Sequence, residues 1–209
     1  RESAAQKNRG PALANKVIVL DPGSDSHEAE IVYDVAQRIE GRLLALGASV
    51  FLTRGAQNNP SESERISFTN KSSADLLISL HVDRHKNPQA RGVATFFYGS
   101  DQHGIHSIVG EKFASLVQRE ICARTDFINC RSHAKTWDSL RLTKAPAVRV
   151  DLGYSSNESD ATRLAQADFR NAIAESFVIA IQRLYLAAED DAKTGTLRIS
   201  DLRNAGIRR

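Results

Sequence analysis

Strands alternating with helices predict a single α/β domain over residues 16–187, with a mostly parallel central sheet flanked by helices. Two observations carry that expectation. The run Val17-Ile-Val-Leu-Asp-Pro-Gly23 is apolar and β-branched and ends in Asp-Pro-Gly. It reads as a buried strand that delivers its C-terminal end to a sharp turn. Directly after it, Ile31, Val32, Val35, Ile39, Leu43 and Leu46 recur at helical spacing and stop at Gly47. The 209 residues, 41% of them apolar, suffice for one sizeable core and fall short of two.

The remaining elements continue the same alternation. Ser49 to Thr53 is a short strand, Gly55 to Pro60 a loop, and Ser61 with Glu64 a capping box for a helix reaching about Ser72. Asp75 to Leu80 and Gly92 to Tyr98 are strands. Ile105, Ile108, Val109, Phe113, Leu116, Val117 and Ile121 form an amphipathic helix. Ala147 to Leu152 is a further strand, and Phe169, Ile173, Phe177, Ile181 and Leu184 mark a closing helix. The chain opens at Arg1, not at Met, and its polar residues 1–15 read as a linker from something upstream. Residues 188–209 read as a polar tail.

The net charge of +3 is mild, and the 28 basic residues are interspersed with 25 acidic ones and few aromatics. That pattern argues against a nucleic-acid partner. No apolar run has the length of a membrane span. Cys122 and Cys130 read either as a local disulfide of an exported protein or as two free thiols of a reducing compartment. Neither belongs to a Cys-x-x-Cys pattern.

Strand ends and helix starts of this layout gather the residues that could carry chemistry. His81, at the end of the strand in Ile78-Ser-Leu-His81, is either a metal ligand or a histidine bonded to backbone. Glu28, before the first long helix, is either a ligand or an acidic residue that stabilises the helix N-terminus. Asp151, in Val150-Asp-Leu-Gly-Tyr154, is either a base or a cap of the turn through Gly153. His85, His103, His106 and His133 lie in expected loops or at helix ends and read as solvated, whereas His27 adjoins Glu28 at a helix start, where neighbours point in different directions, which argues against it as a substitute ligand.

Taken together, Val17 to Gly23, Ser79-Leu-His-Val-Asp83 and Val150 to Asn157 resemble the zinc-dependent N-acetylmuramoyl-L-alanine amidase family. The resemblance covers about residues 16 to 187, with further matches at Leu52-Thr-Arg54, Arg65 and Asn70 to Asp75, and Leu140 to Ala147. It implies a zinc hydrolase with Glu28 and His81 as metal ligands, Asp151 at the position of the catalytic base, and Arg54 and Arg141 facing the substrate cleft. It also implies a defect. The family's first strand ends Asp-Pro-Gly-His, and here Ser24 stands in place of that ligand. A neutral serine hydroxyl is a poor zinc donor. Asp151 replaces the family's Glu and sets its carboxylate back by about an ångström, enough to lower a rate by about a hundredfold. The expected product is a catalytically degenerate amidase domain without a cofactor, or, if the site is intact enough, a zinc-dependent enzyme.

Arg38-Ile-Glu-Gly-Arg42, Gln118-Arg-Glu120, Ala123-Arg-Thr125, Cys130-Arg131, Thr136-Trp-Asp138 and Leu140-Arg-Leu-Thr143 are similar to an actinobacterial subgroup of the family. The subgroup implies a cytoplasmic regulator of peptidoglycan precursor synthesis. Its implied partners are the enolpyruvyl transferase MurA, the lipid II flippase MurJ and a phosphothreonine-binding protein, with Thr194 and Thr196 as phosphorylation sites. Two rival expectations stand beside it: an exported, active amidase, and a non-catalytic peptidoglycan-binding domain.

Overall fold

The computed structural model describes residues 13–100 and 104–193, with side chains through Tyr185. Its elements are β1 (Val17–Pro22), α1 (Ala29–Ala45), β2 (Ser49–Leu52), α2 (Glu62–Lys71), β3 (Leu76–Asp83), β4 (Val93–Ser100), β5 (Ile105–His106), α3 (Ile108–Arg124), β6 (Asn129–Lys135), α4 (Asp138–Arg141), β7 (Ala147–Tyr154), α5 (Glu158–Ala165) and α6 (Ala167–Lys193). The strand order is β2-β1-β3-β7-β4-β5, with β6 also paired to β4. The first four strands of that order run parallel, β4 runs antiparallel to β7, and β6 parallels β4.

Successive side chains of a strand point to opposite faces, and the two faces here differ in kind. On one, Ile18, Leu20, Leu76, Ile78, Leu80, Val148, Val150 and Leu152 pack against α1, α3 and α6 through Val35, Ile39, Phe113, Val117, Ile121, Ile173, Phe177 and Ile181. This is the main core. The other face has a small apolar cluster of Val19, Leu77, Leu140 and Ala147, with Phe96 and Tyr98 at its margin. Beyond that cluster the same face carries Asp21, Ser79, His81, Arg149 and Asp151, the alternate residues of β1, β3 and β7. The thinly covered face of the sheet is therefore where polar chemistry can gather.

Several expected boundaries move. Leu13 is 1% exposed and donates its amide to Leu46, so the domain takes in residues 13–15 of the expected linker. α3 begins at Ile108, because Gly104 adopts φ +61° and Ser107 caps the helix by accepting from the Gly110 amide at 3.0 Å. Ile105 falls instead in β5. α6 runs on to Lys193, past the last apolar residue at helical spacing, through a stretch rich in the helix formers Ala, Glu and Lys. Residues 194–209, with Thr194 and Thr196, and His103 lie outside the described residues.

Candidate functional site

β1 and β3 run side by side, with Asp21 opposite Ser79, and β3 and β7 place His81 opposite Asp151. Glu28 reaches the same point from the start of α1. It occupies the N-cap position but makes no side-chain cap bond. Its carboxylate turns to β3 instead, where Oε2 accepts from the Val82 amide at 2.6 Å and Oε1 lies 3.1 Å from His81 Nδ1. Burial raises the Glu28 carboxyl, but the His81 hydrogen bond and charge and the Val82 amide outweigh it and hold the group below the usual carboxylate range. Glu28 is 3% exposed and stays ionised against its partners.

The other ring nitrogen of His81, Nε2, lies 3.0 Å from Ser79 Oγ. Ser79 in turn donates to Asp21 Oδ2 at 2.7 Å. The second oxygen of Asp21 accepts from Thr53 Oγ1 at 2.6 Å and from Arg65 Nη1 at 3.2 Å. A continuous polar line thus runs from Arg65 through Asp21, Ser79 and His81 to Glu28. Motif reading gives Asp21 and Ser79 no role, although both lie inside the motifs that define the strands. Their alternation with His81 on a common face is the signal that could have found them.

The turn after β1 permits this crowding only because it contains Gly23. A Cβ there would lie 2.2 Å from Glu28 Oε1 and 2.7 Å from His81 Nδ1. Both neighbours are fixed by other bonds, so Gly23→Ala is expected to destabilise the domain by about 1–3 kcal/mol, measured by urea unfolding.

Asp151 sits beside His81 on β7, but its Oδ1 accepts from Arg149 Nε at 2.7 Å. It does not cap the turn through Gly153, whose Cβ position is crowded by Asp160. Burial pushes the Asp151 carboxyl up from its ordinary value, and the charge of Arg149 only partly opposes this. A carboxyl raised on folding contributes stability below its unfolded value and loses it as pH rises through its folded value. Asp151→Asn, which is neutral at every pH, is therefore expected to melt higher than the parent at pH 7. The advantage should shrink to nothing as pH falls below about 4. Thermal melts of both proteins across that range check this.

Ser24 Oγ donates to Asn59 Oδ1 at 2.5 Å. His27 Nε2 is 2.9 Å from the Val82 carbonyl oxygen, so that ring serves the backbone. Arg54 does not face a cleft. It is 4% exposed, and its guanidinium donates to the carbonyls of Pro22 (2.8 Å), Gly23 (2.7 Å) and Ala29 (2.9 Å), which fixes the turn that carries Gly23. Arg141 lies on the surface, paired with Asp138 at 2.8 Å. Cys122 and Cys130 are free thiols, both pushed up by burial. His106 pairs with Glu111, and His133 meets the Cys130 carbonyl.

Zinc in a hydrolytic site takes three protein donors at about 2.0–2.2 Å and keeps a fourth position open. Glu28 Oε1 and His81 Nδ1, 3.1 Å apart, have a spacing that two donors on one tetrahedral ion could adopt. Among the described residues no third donor joins them, and Ser24, which the family resemblance sets at the remaining ligand position, turns its hydroxyl to Asn59. Among the described residues no group of three His, Cys, Asp or Glu side chains is disposed to hold a metal ion. The donor set does not fit a catalytic zinc.

Comparison with known proteins agrees with this architecture. The model of a family described as N-acetylmuramoyl-L-alanine amidase matches residues 18–183. The chain belongs to that amidase family. One relative, the N-acetylmuramoyl-L-alanine amidase CwlM of Mycobacterium tuberculosis, is 39% identical over 216 residues, covering 97% of this chain and 53% of that protein. The chain thus spans about half the length of CwlM. The germination-specific N-acetylmuramoyl-L-alanine amidase of Bacillus subtilis is 26% identical over 205 residues, covering 85% of this chain and 83% of that protein. Among solved structures, the amidase AmiC2 of Nostoc punctiforme superposes with a TM-score of 0.74 at 22% identity, over 84% of this chain and 99% of its own. The catalytic domain of CwlV from Bacillus (Paenibacillus) polymyxa gives 0.72 at 21% identity, over 82% of this chain and 98% of its own. At such identities these structures speak for the amidase fold alone. Among the described residues no helix is long and apolar enough to cross a membrane.

Proposed function

We propose that this amidase-family domain has lost hydrolysis and acts as a regulator of peptidoglycan precursor synthesis through protein partners in the cytoplasm. The observation that carries the loss is the donor set: Glu28 and His81 face one another at 3.1 Å, and the third ligand position is a serine bonded to Asn59. Asp151 strengthens the reading. A general base needs a lone pair aimed at the water it activates. Here one carboxylate oxygen is held by Arg149 at 2.7 Å.

The proposed partners are MurA and MurJ, with a phosphothreonine-binding protein if Thr194 or Thr196 is phosphorylated. Support comes from the 39% identity to CwlM, which extends over 97% of the chain. A second reading has one specific observation in its favour. Glu28 and His81 retain a mutual geometry compatible with one ion, and the relatives bear amidase names. In that reading the domain is an active zinc amidase of peptidoglycan.

Zinc content after dialysis, measured together with muropeptide cleavage, separates the two. The expected result is less than one equivalent of zinc and no release of stem peptide. Stoichiometric zinc with cleavage that disappears in His81→Ala would overturn the degenerate reading.

A further inference from the structure

β2 and β6 lie at the two edges of the sheet and differ in how they meet solvent. An unpaired edge offers its main-chain groups to any other strand, and charges, bulges and prolines normally guard it. β6 is guarded. It carries Arg131 and Lys135, and Arg131, at φ +68°, stands where the register against β4 shifts. β2 has no such device. Ser49-Val-Phe-Leu52 is uncharged, contains no proline and pairs with β1 in unbroken register.

The free side of β2 presents the main chain of Val50 and Leu52. The Ser49 amide donates to the Lys16 carbonyl at 2.8 Å and the Thr53 amide to the Leu20 carbonyl at 3.0 Å, so residues 49, 51 and 53 turn their amides toward β1. The amides and carbonyls of Val50 and Leu52 therefore point outward. Among the described residues no strand pairs with them. Between them Phe51, the register partner of Val19, stands on the thinly covered face and is 43% exposed. Phe68 of α2 meets it edge-on, with ring centroids 6.4 Å apart, and is itself 40% exposed. Two adjoining exposed phenylalanines at an open edge form a patch, where single exposed apolar residues would be ordinary.

Symmetry and charge select the occupant. A twofold axis through Phe51, perpendicular to the sheet, sets Phe51 opposite its copy as a non-hydrogen-bonded pair, the closest side-chain approach in an antiparallel ladder. Val50 of each copy then exchanges hydrogen bonds with Leu52 of the other, so every outward amide and carbonyl of these two residues is paired. On α2, Glu64 and Lys71 lie four residues before and three after Phe68, which puts all three on one side of the helix. The same axis reverses α2 against its copy and brings Glu64 of each beside Lys71 of the other. Both side chains are exposed. A foreign strand of one charge sign satisfies one of these groups and opposes the other, whereas a second copy satisfies both.

We infer that two copies of this chain pair antiparallel through β2, centred on Phe51, so that the sheet continues from one domain into the other. The contact is small: Phe51 and Phe68 from each copy, one short ladder and the Glu64–Lys71 pairs. The dimer is accordingly weak and forms at micromolar concentration.

Sedimentation equilibrium of the chain of residues 1–209, from about 1 to 500 µM, tests the inference together with hydrogen exchange. The parent should reach a dimer mass, with a Kd that rises with salt. Phe51→Lys should raise the Kd at least about tenfold. Lys71→Glu, which sets like charges against each other, should also raise it at low salt, while the melting temperature in dilute solution stays that of the parent. Phe51→Thr keeps strand propensity and should give a smaller rise, which keeps the test valid if Phe51→Lys folds poorly. In the parent the amides of Val50 and Leu52 should gain protection as concentration increases, and those of β6 should not. A chain that stays monomeric to the highest concentration overturns the pairing. So does a dimer whose Kd is unchanged in Phe51→Lys and Lys71→Glu, or whose concentration-dependent protection falls outside β2.

Discussion

Ser24→His is expected to turn a domain that loses zinc on dialysis into one that retains it stoichiometrically. The reasoning is a count of donors. Glu28 Oε1 and His81 Nδ1 already stand 3.1 Å apart, and neither has to cross the fold to share an ion. The turn that carries position 24 is also fixed, because Arg54 donates to the carbonyls of Pro22 and Gly23 and the Gly23 amide donates to Leu80 at 2.8 Å. An imidazole introduced next to Gly23 therefore starts from a rigid backbone, one residue from a Cβ position that lies 2.2 Å from Glu28 Oε1 and 2.7 Å from His81 Nδ1. Structural zinc sites with four ligands bind with about 10–16 kcal/mol, so a third ligand should strengthen binding by roughly 3 kcal/mol, a factor of a hundred or more. Zinc should then raise the melting temperature of the variant and leave the parent unchanged. Cleavage is expected to stay low in Ser24→His alone, because Asp151 remains short and bound to Arg149. An S24H protein that gives up its zinc on dialysis would show that the loss of the third histidine is not what separates this chain from a metal site.

The residues legible in the sequence were those whose chemistry or spacing is strong on its own. The alternation of β1, α1 and β2, the Ser61–Glu64 capping box and the buried run of β3 each announce themselves locally, and the capping box forms with both of its bonds. β6 did not. Asn129-Cys-Arg-Ser-His-Ala-Lys135 has no large apolar residue, and it becomes a strand only because the edge of β4 offers it a partner. Propensity is silent where pairing decides. The first turn of α3 misled for a different reason. Ile105, Ile108 and Val109 continue the helical spacing of Phe113 and Val117, but they are exposed, so the period of a sequence reports a face without reporting whether anything covers it.

The site shows the same division. Glu28, His81 and Asp151 are found by motif, and their meeting results from the order of the parallel strands. The family resemblance places Arg54 at a substrate cleft. Arg54 instead lies buried among carbonyls, an arrangement that only the path of the Pro22–Gly23 turn reveals. Arg149 has no motif at all. Its pairing with Asp151 arises from their i, i+2 spacing on one strand face, and this pairing changes what Asp151 can do.

Asp21→Ala is expected to cost about 3 kcal/mol or more of folding stability, the largest loss of any single change near the site. Asp21 is 5% exposed and accepts from three side chains: Thr53 at 2.6 Å, Ser79 at 2.7 Å and Arg65 at 3.2 Å. Removing the carboxylate leaves the buried Thr53 hydroxyl without its acceptor, leaves Ser79 with His81 Nε2 at 3.0 Å as its remaining side-chain partner, and leaves Arg65, whose side chain is 18% exposed, without its anion. Arg65 has little to fall back on, since its Nε is already buried without a partner. Breaking a buried pair by deleting one member costs about 3–5 kcal/mol, and each unsatisfied buried hydroxyl adds roughly 1–3 kcal/mol before relaxation. Partial exposure of Arg65 and entry of water bring the sum down to the lower end. Asp21→Asn, which keeps an acceptor for Thr53 or Ser79 but removes the charge, should lie between the parent and the alanine variant. Arg65→Gln in the Asp21→Ala background should recover part of the loss, because the stranded cation is then gone. Urea unfolding of the four proteins checks the order. A loss below about 1 kcal/mol in Asp21→Ala, or no recovery from Arg65→Gln, would mean that the line from Arg65 to Glu28 is not held from the Asp21 end.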